Sequence, residues 1–204
     1  MMKRFIKIIL LTVLAALMLS ACSARFEDYA DEQKGIEKLG ENHVFFLPYL
    51  MGERSPWNNP NARATFTGIT MDTTREDMTQ AVLEGVAFAT RDMYEVAKSI
   101  GVAPKRTMIC GGGAKSPLWR KMIANILNIE VDVPACEEGP GMGGAMLAMV
   151  ACGEYKSVEE AAAAIVKVDK TEKPDPELVA KYEARYQQFK NIYPALAETF
   201  DKII

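Results

Sequence analysis

The 204-residue sequence holds a single histidine, four cysteines, no internal repeat and no low-complexity tract. Each scarcity excludes a class of function. His43, the lone imidazole, sits where a polar stretch meets the first apolar run and is assigned no catalytic role. Cys110, Cys136 and Cys152 show none of the paired spacings of a metal finger, so no metal site is expected; they read as small buried hydrophobes of a reducing compartment. Lysine and arginine do not outnumber the acids, and the net charge of −3 lacks the basic excess of a nucleic-acid binder. The longest apolar run, Ile8 to Leu19, falls short of the ~20 residues a spanning helix needs.

What is present divides into three parts. Met1 to Cys22 has a basic start (Lys3, Arg4, Lys7), an apolar middle and small residues before a cysteine, which reads as an export signal. Leu19-Ser20-Ala21-Cys22 resembles a bacterial lipobox, in which Cys22 would be acylated and would anchor the chain to a membrane. Removing that segment with its three basic residues takes the net charge to −6. Residues 23–43 form a polar linker or junction, and residues 44–204 form the body. A composition of 49% hydrophobic and 25% charged residues is enough for one modest domain with its own core.

Periodicity gives the body an alternating α/β pattern. Val44 to Leu47 and Ala64 to Ile69 read as strands around a Pro- and Asn-rich loop, Ser55 to Asn61. A long helix from Asp72 or Thr74 to about Ser99 carries Met78, Val82, Val86, Ala89 and Met93 at helical spacing, with Gly101 as its stop. Thr107 to Cys110 reads as a buried strand, and Ser116 as the cap of a helix from Pro117 to Leu127. A strand over Glu130 to Val133, a helix from Gly141 to Cys152, a short helix from Val158 to Ile165 and one last helix running toward Phe200 complete the expectation.

The densest signal is Thr107 to Trp119, TMICGGGAKSPLW, an apolar strand breaking into three glycines and a Ser-Pro helix start. Bare glycines admit a phosphate to the backbone N–H groups, and the following helix aims the positive end of its dipole at the same place. A tight turn is the plain alternative.

Four blocks then carry a resemblance. They are FLPYLMGERSPWNNPNARATFTGIT from Phe46, the spaced set Ala64, Phe66, Gly68, Ile69, Asp77, Met78, Ala81, Val82, Leu83 and Glu84, the run GGGAKSPLWRKM, and EEGPGMGGAMLAMVACGEY from Glu137. Together they resemble the C-terminal part of the FGGY carbohydrate kinases, and among them the xylulokinase type. The resemblance implies an α/β fold: part of an actin-like (ribonuclease H-like) ATPase lobe, a mixed sheet flanked by helices. It implies ATP or ADP as cofactor, with Mg2+ carried on the nucleotide phosphates. Gly111, Gly112, Gly113 and Ala114 would lie along the adenosine and α-phosphate, Ser116 near the base or ribose, and Gly141, Gly143, Gly144 and Ala145 would let their helix crowd the same pocket. Close helix–sheet packing explains the last four equally well. Trp57 and Trp119 are expected to pack, Glu84 to support its helix, and Glu53 and Arg54 to order their loop.

The family's sugar pocket and catalytic aspartate belong to an N-terminal lobe with no counterpart among these residues, so no catalytic residue is assigned. Loss of a general base alone typically lowers rate by about two to four orders of magnitude, and the chain by itself is expected to be inactive. An unpaired sheet edge would favour self-association. The family implies a cytoplasmic enzyme, the lipobox an exported lipoprotein with a non-catalytic binding module, and the joined halves are read first as a chimeric frame.

Overall fold

The computed structural model describes residues 36–136 and 139–203. Every element below lies in one compact unit, Lys38–Ile204. The signal-like segment, Cys22 and most of the linker lie outside the described residues. Among the described residues no helix is long and apolar enough to cross a membrane.

The first element, β1 (Phe45–Leu47), pairs antiparallel with β2 (Thr65–Thr67). This ribbon lies on α1 (Arg75–Ser99), where Val44, Phe46 and Ala81 form a core extended by Ala64, Phe66 and Met78. Thr74 opens α1 with a capping box: its hydroxyl accepts from the Asp77 N–H and its own N–H donates to Asp77 Oδ2 at 2.9 Å. That backbone donor holds the Asp77 carboxyl below the usual carboxylate range. Gly85 is required where ribbon and helix cross, because a Cβ there would come 2.1 Å from the Phe46 carbonyl oxygen.

A second, mixed sheet has the order β3–β4–β5, with β3 (Arg106–Met108) parallel to β4 (Glu130–Pro134) and β4 antiparallel to β5 (Val168–Glu172). Between β3 and β4 run a short 3-10 turn, Gly112–Lys115, and α2 (Pro117–Leu127), which packs on α1. After β4 come α3 (Gly139–Ala151) and α4 (Val158–Ile165). Behind β5, α5 (Pro176–Phe189) packs on α2, and α6 (Ile192–Lys202) follows.

Four expectations are corrected. The buried stripe of α1 runs through Ala81, Glu84, Gly85, Phe88 and Asp92, one step round from the apolar stripe, because two carboxylates are buried with partners from α5. Val82 and Met93 are exposed instead. The strand expected to be buried, β3, is exposed along its length: its inner side opens on an apolar groove of about 460 Å³ between α1 and α2, lined by Val86, Met93, Met108 and Trp119. The single last helix is two. Pro194 has no N–H for the Lys190 carbonyl and its ring would clash there, so α5 ends and α6 begins around Asn191. Finally β5 went unread, since Val-Asp-Lys-Thr-Glu has no apolar alternation and is held by pairing with β4 and by Thr171 Oγ1 donating to Asp132 Oδ1 at 2.6 Å.

The tightest packing lies where α1 meets α5. Phe88 is fully buried against Tyr182, Tyr186 and Phe189, with ring centroids 5.1–6.2 Å away. Beside it, Arg185 Nη2 donates to Glu84 Oε2 at 2.8 Å and to the Val44 carbonyl, while Gln80 Nε2 donates to Glu84 Oε1 at 2.7 Å. Burial pushes the Glu84 carboxyl up despite the guanidinium. Glu84 thus ties α1 to α5, and through Arg185 to the carbonyl of Val44 just before β1, a structural role consistent with its reading as a support residue.

Candidate nucleotide site

At the end of β3 the chain turns through Gly111, Gly112 and Gly113, and each glycine answers a different demand. Gly111 has φ 87° and ψ −178°, backbone space that is essentially reserved for glycine. Gly112 is exposed, and a Cβ there would meet nothing within 4 Å. Gly113 is the tight one: a Cβ would come 1.8 Å from the Trp119 ring. Trp119 is pinned in turn by its indole N–H, which donates to the Leu83 carbonyl of α1 at 3.3 Å. Glycine here therefore serves conformation, access and packing in three successive positions.

Beneath the turn the side chains are committed to shape. Ser116 is 4% exposed; its Oγ accepts from the Trp119 N–H at 3.1 Å and caps α2, with Pro117 in the first turn. Its hydroxyl therefore fixes where the helix starts, as the expected cap. Ala114 is buried and its carbonyl accepts from the guanidinium of Arg120, one helical turn on. Arg120 had no sequence signal beyond its distance of four residues from the cap. The result is an exposed backbone loop, Gly111–Gly112, held over the N-terminal end of an 11-residue helix. Such an arrangement accepts an anion without a dedicated cation, because free N–H groups and the dipole both favour negative charge.

The second glycine group does not serve the helix–sheet packing offered as one reading of it. Gly141, Gly143 and Gly144 lie in α3, which buries no residue, and each has open space where a Cβ would stand. Nothing lies within 4 Å of their Cβ positions, and α3 packs chiefly on α4. Their smallness has no packing reason within the described residues. The cysteines also depart from the sequence reading: Cys110, Cys136 and Cys152 are all exposed, since each follows a strand or helix end and not its buried middle.

Glu53 orders its loop as expected. Its carboxylate accepts from the N–H groups of Ser55 at 2.7 Å and Trp57 at 2.8 Å, and its backbone exchanges two hydrogen bonds with Asn59. Trp57 stacks on Tyr193 of α6 at 4.4 Å, a packing role, and His43 Nε2 pairs with the Thr73 hydroxyl on the surface. Among the described residues no group of three or more histidine, cysteine or acidic side chains could hold a metal ion.

Comparison with known proteins places this geometry. Residues 8–152 match the model of the FGGY family of carbohydrate kinases, C-terminal domain, a stretch that begins inside the apolar segment read as an export signal. The chain is 36% identical over 156 residues to a xylulose kinase of Staphylococcus epidermidis, covering 76% of this chain and 32% of that one. Its fold resembles a xylulose kinase from Brucella ovis with TM-score 0.77 and 33% identity, over 85% of this chain and 35% of that one. A gluconate kinase from Lactobacillus acidophilus is similar at TM-score 0.76 and 29% identity, over 88% and 35% of the two chains. The chain spans about a third of the length of the relatives it matches. The actin-like α/β lobe implied by the sequence is the fold observed, and the chain belongs to the FGGY family of carbohydrate kinases through their C-terminal domain.

Proposed function

We propose that this chain is the nucleotide-binding portion of a xylulokinase-like sugar kinase, which transfers the γ-phosphoryl group of ATP to D-xylulose or a related polyol. The observation that carries the proposal is the exposed Gly111–Gly112 backbone above the capped start of α2. The N–H groups of Gly112 and Gly113 would cradle phosphate oxygens, the Ala114 N–H being held by the Gly111 carbonyl at 3.0 Å, and Trp119 and Arg120 would keep the loop in shape without touching the ligand. Mg2+ would enter on the nucleotide, since this ion keeps several waters and favours phosphate oxygens over an all-protein cage.

Turnover needs a sugar-binding lobe and a general base, which the rest of a longer polypeptide or a second one would supply. The 204 residues alone would bind nucleotide and transfer nothing. Titration calorimetry with ADP tests the reading: the chain should bind it, and Gly112→Val, which has room in the fold, should weaken binding by about tenfold or more, or about 1.4 kcal/mol. No ADP binding by a folded chain would overturn it. Acylation at Cys22 in the source cells would instead support the alternative, an exported lipoprotein using the lobe as a non-catalytic binding module.

A further inference from the structure

The mixed sheet β3–β4–β5 ends in two unlike edges. β5 carries Asp169, Lys170 and Glu172, the charged dressing that keeps an edge strand from pairing. β3 carries one charged side chain, Arg106, beside Thr107 and Met108, and all three residues are exposed. Arg106 is neutralised within its own sheet: Nη2 donates to Glu130 Oε2 at 2.7 Å, and Nε lies 3.2 Å from Asp132 Oδ2. The backbone of β3 is satisfied on one side only. The Lys105 carbonyl accepts from the Glu130 N–H at 3.1 Å and the Ile109 N–H donates to the Asp132 carbonyl at 2.9 Å, so these positions turn toward β4. Polar groups alternate sides along a strand, and those of Arg106 and Met108 therefore face away from β4, where no strand of the described residues pairs with them. Beside that edge lies the apolar groove of about 460 Å³, with Met93, Met108 and Trp119 among its walls.

The pattern of the edge selects its partner. Outward groups at Arg106 and Met108, with Thr107 between them, map onto themselves through a two-fold axis at Thr107. Two copies of β3 laid antiparallel about that axis set Arg106 of each opposite Met108 of the other, and both pairs are of the kind that exchanges N–H and C=O bonds. Charge selects the same orientation. Parallel pairing in register would set Lys105 and Arg106 against their own copies, and like charges directly opposite are destabilising. Antiparallel pairing sets Lys105 against Ile109 and lets the long Arg106 stem cover Met108 while its guanidinium stays on Glu130 and Asp132. We propose that the β3 edge is a docking surface for a second copy of this chain, paired antiparallel through Arg106–Met108 about a two-fold axis at Thr107. The second copy also shields the groove beside that edge. This surface does not rest on the nucleotide reading, and a chain that bound no ADP would still pair through it.

Sedimentation velocity on the full 204-residue chain should show a dimer that forms as concentration rises. Met108→Pro removes an outward N–H and no bond to β4, so it should weaken dimerisation about tenfold or more at an unchanged unfolding midpoint. A second variant reads the axis itself and does not need proline to be tolerated. Across a non-hydrogen-bonded antiparallel pair the Cα atoms stand about 4.5 Å apart, within disulfide reach. Thr107→Cys, in a chain whose four cysteines are replaced by serine, should therefore give a covalent dimer on copper-catalysed air oxidation. Lys105→Cys in the same background should not, because the two copies of that position lie roughly 14 Å apart along the strands. A chain that stays monomeric overturns the proposal and leaves the edge to a strand from another polypeptide. A dimer that Met108→Pro leaves equally tight, or that cross-links as well through Lys105→Cys as through Thr107→Cys, also overturns it and moves the contact elsewhere on the chain.

Discussion

Two regions of this lobe are built on opposite principles. Where β1, α1 and α5 meet, side chains do the holding: Phe88 among three aromatic rings, and Glu84 locked between Gln80 and Arg185. At the glycine turn and in the first half of α3 glycines stand where side chains would, and backbone faces open space at Gly112, Gly141, Gly143 and Gly144. The first region fixes the lobe. The second leaves room for a ligand, and its Gly-rich chain loses more conformational entropy on folding than the same length of alanine would.

The largest test of this contrast removes a partner from the packed region. Glu84→Ala leaves the Arg185 guanidinium buried against Phe45 with no carboxylate, and breaking such a pair typically destabilises by about 3–5 kcal/mol. Urea unfolding should show a loss of that size. A change within about 0.5 kcal/mol, as at an ordinary surface site, would mean that the pair does not hold this junction.

The next test sets neighbouring glycines against each other. Gly113→Ala drives a methyl into the Trp119 ring and should cost about 1–3 kcal/mol, whereas Gly112→Ala meets nothing and should stay near neutral in stability. Both should weaken ADP binding. Equal stabilities would show that Trp119 moves aside freely and that the turn is softer than the packed region by more than its glycines imply.

How far the sequence announced this division depends on which force acts. Local devices were legible: Thr74 as one of two helix starts, Ser116 with Pro117 as a cap, and the glycine triplet as a break between strand and helix all act over a few residues, and the structure has these elements there, with Asp77 closing a capping box that was not read. Burial was less legible because it is set by distant partners. Arg185 lies 101 residues from Glu84, and nothing near either residue reveals that the two are buried together. The exposure of β3 and of the three cysteines is likewise decided by which elements lie over them. At the site, glycines mark the loop, but Trp119 and Arg120 read only as packing or as nothing.

A smaller effect concerns Asp92 at the edge of the packed region. Burial raises its carboxyl pKa above the ordinary 3.8, with the Tyr186 hydrogen bond opposing the shift. Above that value the folded state binds more protons than the unfolded one, so Asp92 makes stability fall as pH rises from about 3.8 through its folded pKa. Asp92→Asn should flatten that part of the stability–pH profile in urea titrations. An unchanged slope would show that Asp92 is solvated and ionised like a surface carboxylate, and would move it out of the packed region.

The smallest effects belong to α3, where they are also the most telling. Gly143 and Gly144 sit in helical backbone with open space at their Cβ positions, so alanine at either should stabilise the chain by about 0.5–1 kcal/mol, the ordinary cost of glycine within a helix. Stability alone therefore argues against these glycines. If the alanine variants melt higher and bind ADP more weakly, the glycines are there for close approach to a ligand, and α3 joins the open region as a second wall of the nucleotide site. If they melt higher and bind ADP equally, α3 has no part in that site and only Gly111 to Ala114 remain. A loss of stability would mean instead that α3 rests against another element, and the contrast between packed and open regions would stop at the end of α2.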